Sequence, residues 1–166
     1  MEYRLDLNNL YKILELVSDY NCKLLPVIKG RNEEDILQLY NEGFREFGEN
    51  RLNELSDHAR FLPEARFHFI APLQSRKIRE IMNSCDFIHT LQRPKEILAI
   101  NECYENQDIF VQINIDDDPN KSGIKINQVD EFFDNFEGLK YFPVGIMCIP
   151  SFDADPKSSF NKMSKI

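Results

Sequence analysis

Residues 109–115 read IFVQINI, seven positions in which β-formers run almost without interruption. A strand with one wet face alternates apolar and polar residues, whereas one covered on both faces does not. This run is therefore read as an interior strand of a parallel sheet. Similar short runs lie at residues 23–28 (KLLPVI), 45–47 (REF), 66–70 (RFHFI), 86–89 (DFIH) and 141–149 (YFPVGIMCI). Between them lie longer stretches with apolar residues every three or four positions: 7–17, 33–40, 50–55, 75–82 and 94–104. These are helical periods, with Gly43 as a C-terminal stop and Pro94 suited to a first turn. Strands alternating with helices predict parallel βαβ units. Six such strands fit an open doubly wound sheet by length, because a closed barrel takes eight strands and ~250 residues.

Composition narrows the function classes. The 166 residues carry 20 Lys+Arg against 28 Asp+Glu, a net charge of −8. This predicts no nucleic-acid partner and no anionic membrane surface, since both call for a basic face. No apolar run approaches the ~18 residues of a membrane span, and the charged start MEYRLDLNN lacks a secretory core. One domain spanning 1–166 is expected. Cys22, Cys85, Cys103 and Cys148 lie far apart with no CxxC, so four buried free thiols in a reducing cytoplasm are expected, with no disulfide or metal site. Nucleotide-binding glycine fingerprints, HExxH and GxSxG are all absent. The acidic run Asp116–Asp118 reads as a solvated loop.

Chemistry in parallel α/β folds gathers at the carboxyl ends of strands. The first apolar run ends in Lys29. A lysine beside an apolar interior has its charged form disfavoured and becomes nucleophilic, as Schiff-base chemistry requires, although a lysine that merely closes a strand fits the same pattern. Phe47-Gly48-Glu49-Asn50 offers Gly48 for a tight turn and Asn50 as an N-cap, with Glu54 near the capping-box position. In Phe67-His68-Phe69, alternation turns His68 away from both phenylalanines and toward the interior.

Six segments together resemble the pyridoxal-phosphate homeostasis proteins, single-domain relatives of the alanine racemase N-terminal barrel. They are LLPVIK (24–29), FGENRLNEL (47–55), FHFIAPLQSRK (67–77), HTLQR (89–93), VQINIDDDPNKSGI (111–124) and GIMCIP (145–150). The opening YRLDLNNL (3–10) looks more like the racemase branch. The resemblance implies a (β/α) TIM-type barrel with about six of the eight strands present and the last two strand–helix units lacking. It implies pyridoxal 5′-phosphate (PLP) at the strand ends, joined to Lys29 through a Schiff base, with Asn50, His68 and Met147 as further cofactor-binding residues. The implied role is cytoplasmic PLP homeostasis rather than robust catalysis, with PLP-dependent apoenzymes as possible recipients. The alternatives are a racemase-like enzyme, or a non-binding fragment that docks onto a partner. Self-association, or a second chain completing the barrel, is expected because six strands leave unpaired edges. The residues flanking the lysine, Ile28 and Gly30, depart from the small hydroxyl residues usual in the family.

Overall fold

The computed structural model describes residues 5–166, so Tyr3 and Arg4 of the YRLDLNNL stretch lie outside the described residues. The chain alternates helices and strands. Helix α1 (Leu7–Ser18) starts at Asp6, whose carboxylate accepts the Asn9 N–H, and α2 (Glu33–Asn41) starts at Asn32 in the same way. Then follow β1 (Glu46–Glu49), α3 (Leu52–Phe61), β2 (Arg66–Phe69), α4 (Ile78–Met82), β3 (Phe87–Leu91), α5 (Pro94–Cys103), β4 (Asp108–Asn114), β5 (Ile124–Lys125), α6 (Val129–Asp134), β6 (Gly145–Cys148) and α7 (Pro156–Met163). Pro94 and Pro156 both sit in first turns, where a missing N–H costs nothing.

All pairings are parallel, and the sheet runs β1-β2-β3-β4 with β6 beside β4. This order decides the architecture. Right-handed crossovers between strands that follow one another without reversal put every helix on the same side. A doubly wound sheet needs a reversal, and there is none among the described strands. The length argument for that fold is thus overturned, and the one-sided α/β arrangement of a barrel wall holds. One face carries Phe47, Phe67, Ile88, Ile109 and Val111, packed with Leu55, Ile78, Ile97 and Ile100 from the helices into a single core.

The first predicted strand is reduced to one bridge. Val27 pairs with Gly48, the Gly48 N–H donates to the Pro26 carbonyl at 2.8 Å, and the Ile28 N–H donates to the Gly48 carbonyl at 3.0 Å. Pro26 has no N–H to extend the ladder. Gly48 is also not a turn residue. It lies inside β1, and a Cβ there would stand 3.2 Å from Val27 Cγ2 and 3.5 Å from Leu25 Cδ2. Glycine lets the Val27 segment approach the sheet.

Other expectations shift in detail. The helix expected over 50–55 is displaced and runs on to Phe61, and only the second half of 141–149 is strand, after Pro143. The short β5 extends the β4 ladder at Ile113 and Asn114 and was not foreseen, nor was α6. Of the cysteines only Cys85 is buried, Cys103 and Cys148 are half-buried, and Cys22 is exposed. The outer edge of β6 has no partner among the described residues.

Candidate functional site

The inner face of the sheet is built in layers, because every second residue of each strand points there. Register places Val27, Gly48, His68 and Phe87 at one level. Lys29 and Asn50 lie two residues further along, at the carboxyl rim. Below the rim runs a column of rings. His68 stacks on Phe87 at 3.8 Å between centroids, and its Nδ1 meets His89 Nε2 at 2.9 Å. His89 in turn stacks on Phe110 at 4.7 Å. At the other end Arg66 lies over the Phe87 ring and reaches Glu46, Asp86 and Asp108 at 3.7–3.9 Å.

The predicted site residues are placed as follows. Lys29 is exposed in the turn after the Val27 bridge, and its amine has no hydrogen bond or ion pair among the described residues. It faces open space at the rim rather than an enclosed apolar interior. Asn50 directly follows β1. The α3 N-cap is Arg51, so Asn50 does not cap that helix, and its Oδ1 is buried without a partner. His68 is buried one layer deeper than Lys29 and is committed to His89. Burial, and then the charge of His89, hold it down to about 3 from an ordinary 6.5, so its ring is neutral near pH 7. Met147 lies opposite Gln112 in register and shares the inner face with Gly145. Four strands separate it from the Lys29 segment along the sheet.

Two residues not singled out stand close to this rim. His89 occupies the layer of Asn50, half-buried, with burial lowering its pKa. Its only sequence signal was its place at the end of a strand. Glu54, read as a capping partner, instead accepts the Gly30 N–H at 2.7 Å and the Arg51 guanidinium at 2.6 Å. These bonds hold its carboxyl below the usual range, the Gly30 bond most strongly. Behind them Glu49 is fully buried beside His58, Oε1 to Nδ1 3.2 Å, and receives the Asn50 N–H at 3.0 Å. Burial raises its pKa.

A cavity of about 490 Å³ opens next to this rim, lined by Asn50, Asn53, Glu54, Gln74 and Lys77. Phe69 and Ile81, which also line it, belong to the helix-side core. It therefore lies outside the sheet wall, and neither Lys29 nor His68 lines it. The acidic loop after β4 is not simply solvated. Asp116 accepts Ser151 N–H at 3.0 Å, Ser159 Oγ at 2.8 Å and Lys162 Nζ at 3.3 Å, tying β4 to α7.

A primary amine without a partner and an amide oxygen without a partner, among the described residues, now stand at one end of a one-sided parallel sheet. A family model for the alanine racemase N-terminal domain matches residues 7–165. The chain belongs to the alanine racemase N-terminal domain family. Among curated members, the pyridoxal phosphate homeostasis protein of Pasteurella multocida is 33% identical over 138 residues, covering 78% of this chain and 59% of that protein. The chain thus spans about six tenths of that relative's length. PipY of Synechococcus elongatus PCC7942, solved without PLP, superposes with a TM-score of 0.79 at 23% identity, over 93% of this chain and 78% of PipY. The PipY structure with PLP bound gives 0.75 at 19%, over 93% and 80%. At these identities the likeness establishes the fold. No helix among the described residues is long and apolar enough to cross a membrane.

Proposed function

We propose that this chain binds pyridoxal 5′-phosphate covalently through Lys29 and serves cytoplasmic PLP homeostasis, holding a reactive aldehyde and passing it to PLP-dependent apoenzymes. The observation that carries the reading is the Lys29 amine, unpartnered at the carboxyl rim beside the orphaned Oδ1 of Asn50. The homeostasis relative and the PLP-bound PipY structure support the choice of ligand.

The residues fit the aldehyde end of the group. Bound PLP would supply an electrophilic aldehyde carbon for a primary amine at this rim. Lys29 offers the nitrogen, once its ammonium has given up a proton. Asn50 offers a fixed amide dipole at the same rim. Gly48 lets the Val27, Leu25 and Ile70 side chains close over β1 below the rim, where a Cβ would stand 3.2–3.7 Å from them. His68 and His89, neutral and bonded to each other, floor the space without adding charge.

Turnover is not part of this reading. A racemase needs a second acid/base on the opposite ring face from its lysine. His68 and His89, the histidines nearest the rim on the inner face, are each engaged with the other.

The test is reduction with borohydride after adding PLP, followed by peptide mapping and the visible absorbance. Label on the peptide carrying Lys29, lost in Lys29→Ala, supports the reading. Equal labelling of both proteins ends it.

A second reading concerns the β6 edge. Val144 and Ile149 are more than half exposed beside it, and Phe152 is 96% exposed. Unpaired strand edges flanked by apolar side chains invite strand pairing, so self-association through this edge is favoured. A monomeric mass by light scattering at high concentration argues against it.

A further inference from the structure

The turn that carries Lys29 is anchored at its start by the fully buried Ile28 and at its end by Arg31, which pairs with Asp35 at 3.7 Å, while Lys29 and Gly30 between them are exposed. The Arg31 N–H donates to the Ile28 carbonyl at 3.0 Å, closing residues 28–31. Gly30 has φ +67°, while Lys29 is not in the left-handed region. That combination is a type II turn. In it the central peptide, Lys29–Gly30, turns its N–H away from the turn's own hydrogen bond, so this donor must find an acceptor elsewhere. A Cβ built on Gly30 would meet nothing within 4 Å, so side-chain packing does not fix the peptide. Its N–H instead meets Glu54 Oε2 at 2.7 Å.

Glu54 suits the role. It sits in the first turn of α3, where a carboxylate is favoured by the helix dipole. Its Oε1 is held by Arg51 at 2.6 Å, so both oxygens are oriented. It performs no capping-box duty, because the helix begins at Arg51 with no side-chain cap. The charge-assisted bond therefore couples a helix packed in the core to the central peptide of an exposed turn.

We propose that Glu54 is a positioning residue for Lys29: by accepting the Gly30 N–H it fixes the peptide that follows the lysine, and so the direction from which the amine enters the inner face. The inference rests on the reading of Lys29 as the attachment point. Losing the bond lets the Lys29–Gly30 peptide rotate toward the type I arrangement, which reverses the Lys29 carbonyl and loosens the turn from which the Lys29 side chain projects, without altering the sheet.

The experiment compares Glu54→Ala, Glu54→Gln and Gly30→Ala with wild type. Two readouts are taken: hydrogen exchange of the Gly30 amide in cofactor-free protein, and the rate at which borohydride fixes added PLP on Lys29. Loss of a charge-assisted bond predicts that Glu54→Ala speeds Gly30 exchange about tenfold and slows labelling about tenfold. Glu54→Gln, which keeps an acceptor oxygen, falls between. Gly30→Ala perturbs the same turn without touching α3, so it slows labelling too, and adding Glu54→Ala to it brings no further loss. Wild-type labelling rates in Glu54→Ala, or additive losses in the double variant, overturn the proposal alone. A wild-type chain that never labels at Lys29 overturns the cofactor reading and the proposal with it.

Discussion

The histidine pair beneath the rim makes the fold acid-sensitive in a calculable way. His68 titrates at about 3 in the folded chain against 6.5 for an unperturbed imidazole. A base whose folded pKa is lowered favours folding while it stays neutral. Above 6.5 neither state binds the proton and the contribution is intact. As the pH falls toward about 3, the unfolded chain takes up a proton that the native state refuses, and stability drains away. Each pH unit in that window costs about 1.4 kcal/mol, so going from pH 7 to pH 5 should remove about 2 kcal/mol through His68 alone. The geometry gives the reason. The Nδ1 to Nε2 bond of 2.9 Å needs one ring to donate and the other to accept, and two imidazolium rings have no acceptor between them. Phe87 and Phe110 close the other faces. The perturbation is His68→Gln, which keeps a polar partner for His89 but cannot titrate. Urea unfolding at both pH values compares the two proteins, so that carboxylates common to both cancel. The wild type should lose about 2 kcal/mol more than the variant between pH 7 and pH 5. Losses equal to within about 0.5 kcal/mol would refute the burial argument.

Other expectations follow from single positions. Gly123 has φ +125°, and a Cβ there would stand 2.5 Å from the backbone N of Asn114, so Gly123→Ala should cost at least ~2 kcal/mol and lower the urea midpoint. Thiol labelling of the native protein should modify exposed Cys22 first. Cys85, buried and pushed up to about 12 by that burial and by the charge of Asp86, should react only on unfolding, which mass mapping of the labelled peptides checks. Asp116→Asn should weaken the tie from β4 to α7, seen as faster amide exchange across residues 156–163 with β4 unchanged.

What the sequence disclosed and what it withheld divide along the range of the interactions. Local signals were reliable: the helical period of residues 7–17, Pro94 in a first turn, Gly43 after α2, and the unbroken β-formers of 109–115 all match the elements found. Alternation alone turns His68 to the inner face, whereas Lys29, read as the end of a strand, lies in the turn after the Val27 bridge. The misreadings involve partners distant in the chain. Gly48 was assigned to a turn because the Val27 segment that crowds it lies 21 positions earlier. Asn50 and Glu54 formed a plausible capping pair until the turn at Gly30 claimed the carboxylate. Asp116 looked solvated because Ser159 and Lys162, which neutralise and bond it, are more than forty residues away. The fold itself turned on one non-local fact, the order of strands across the sheet, which no periodicity encodes.

The inner face separates into two zones with different physical tasks. From Arg66 through Phe87 and His68 to His89 and Phe110, the rings stack and the two imidazoles share one hydrogen bond, while His68 Nε2 is buried without a hydrogen-bond partner, 3.7 Å from Glu46 Oε2. At the rim the Lys29 amine and the Asn50 oxygen have no partners among the described residues, and the Gly30 N–H donates to a single carboxylate. A buried carbonyl oxygen left unsatisfied costs folding energy. Such a cost is sustained in a native fold where the missing partner arrives from outside. An unpartnered amine and an unsatisfied amide oxygen at the same end of the sheet therefore point to the rim as the binding end, with the ring column as the floor on which it rests.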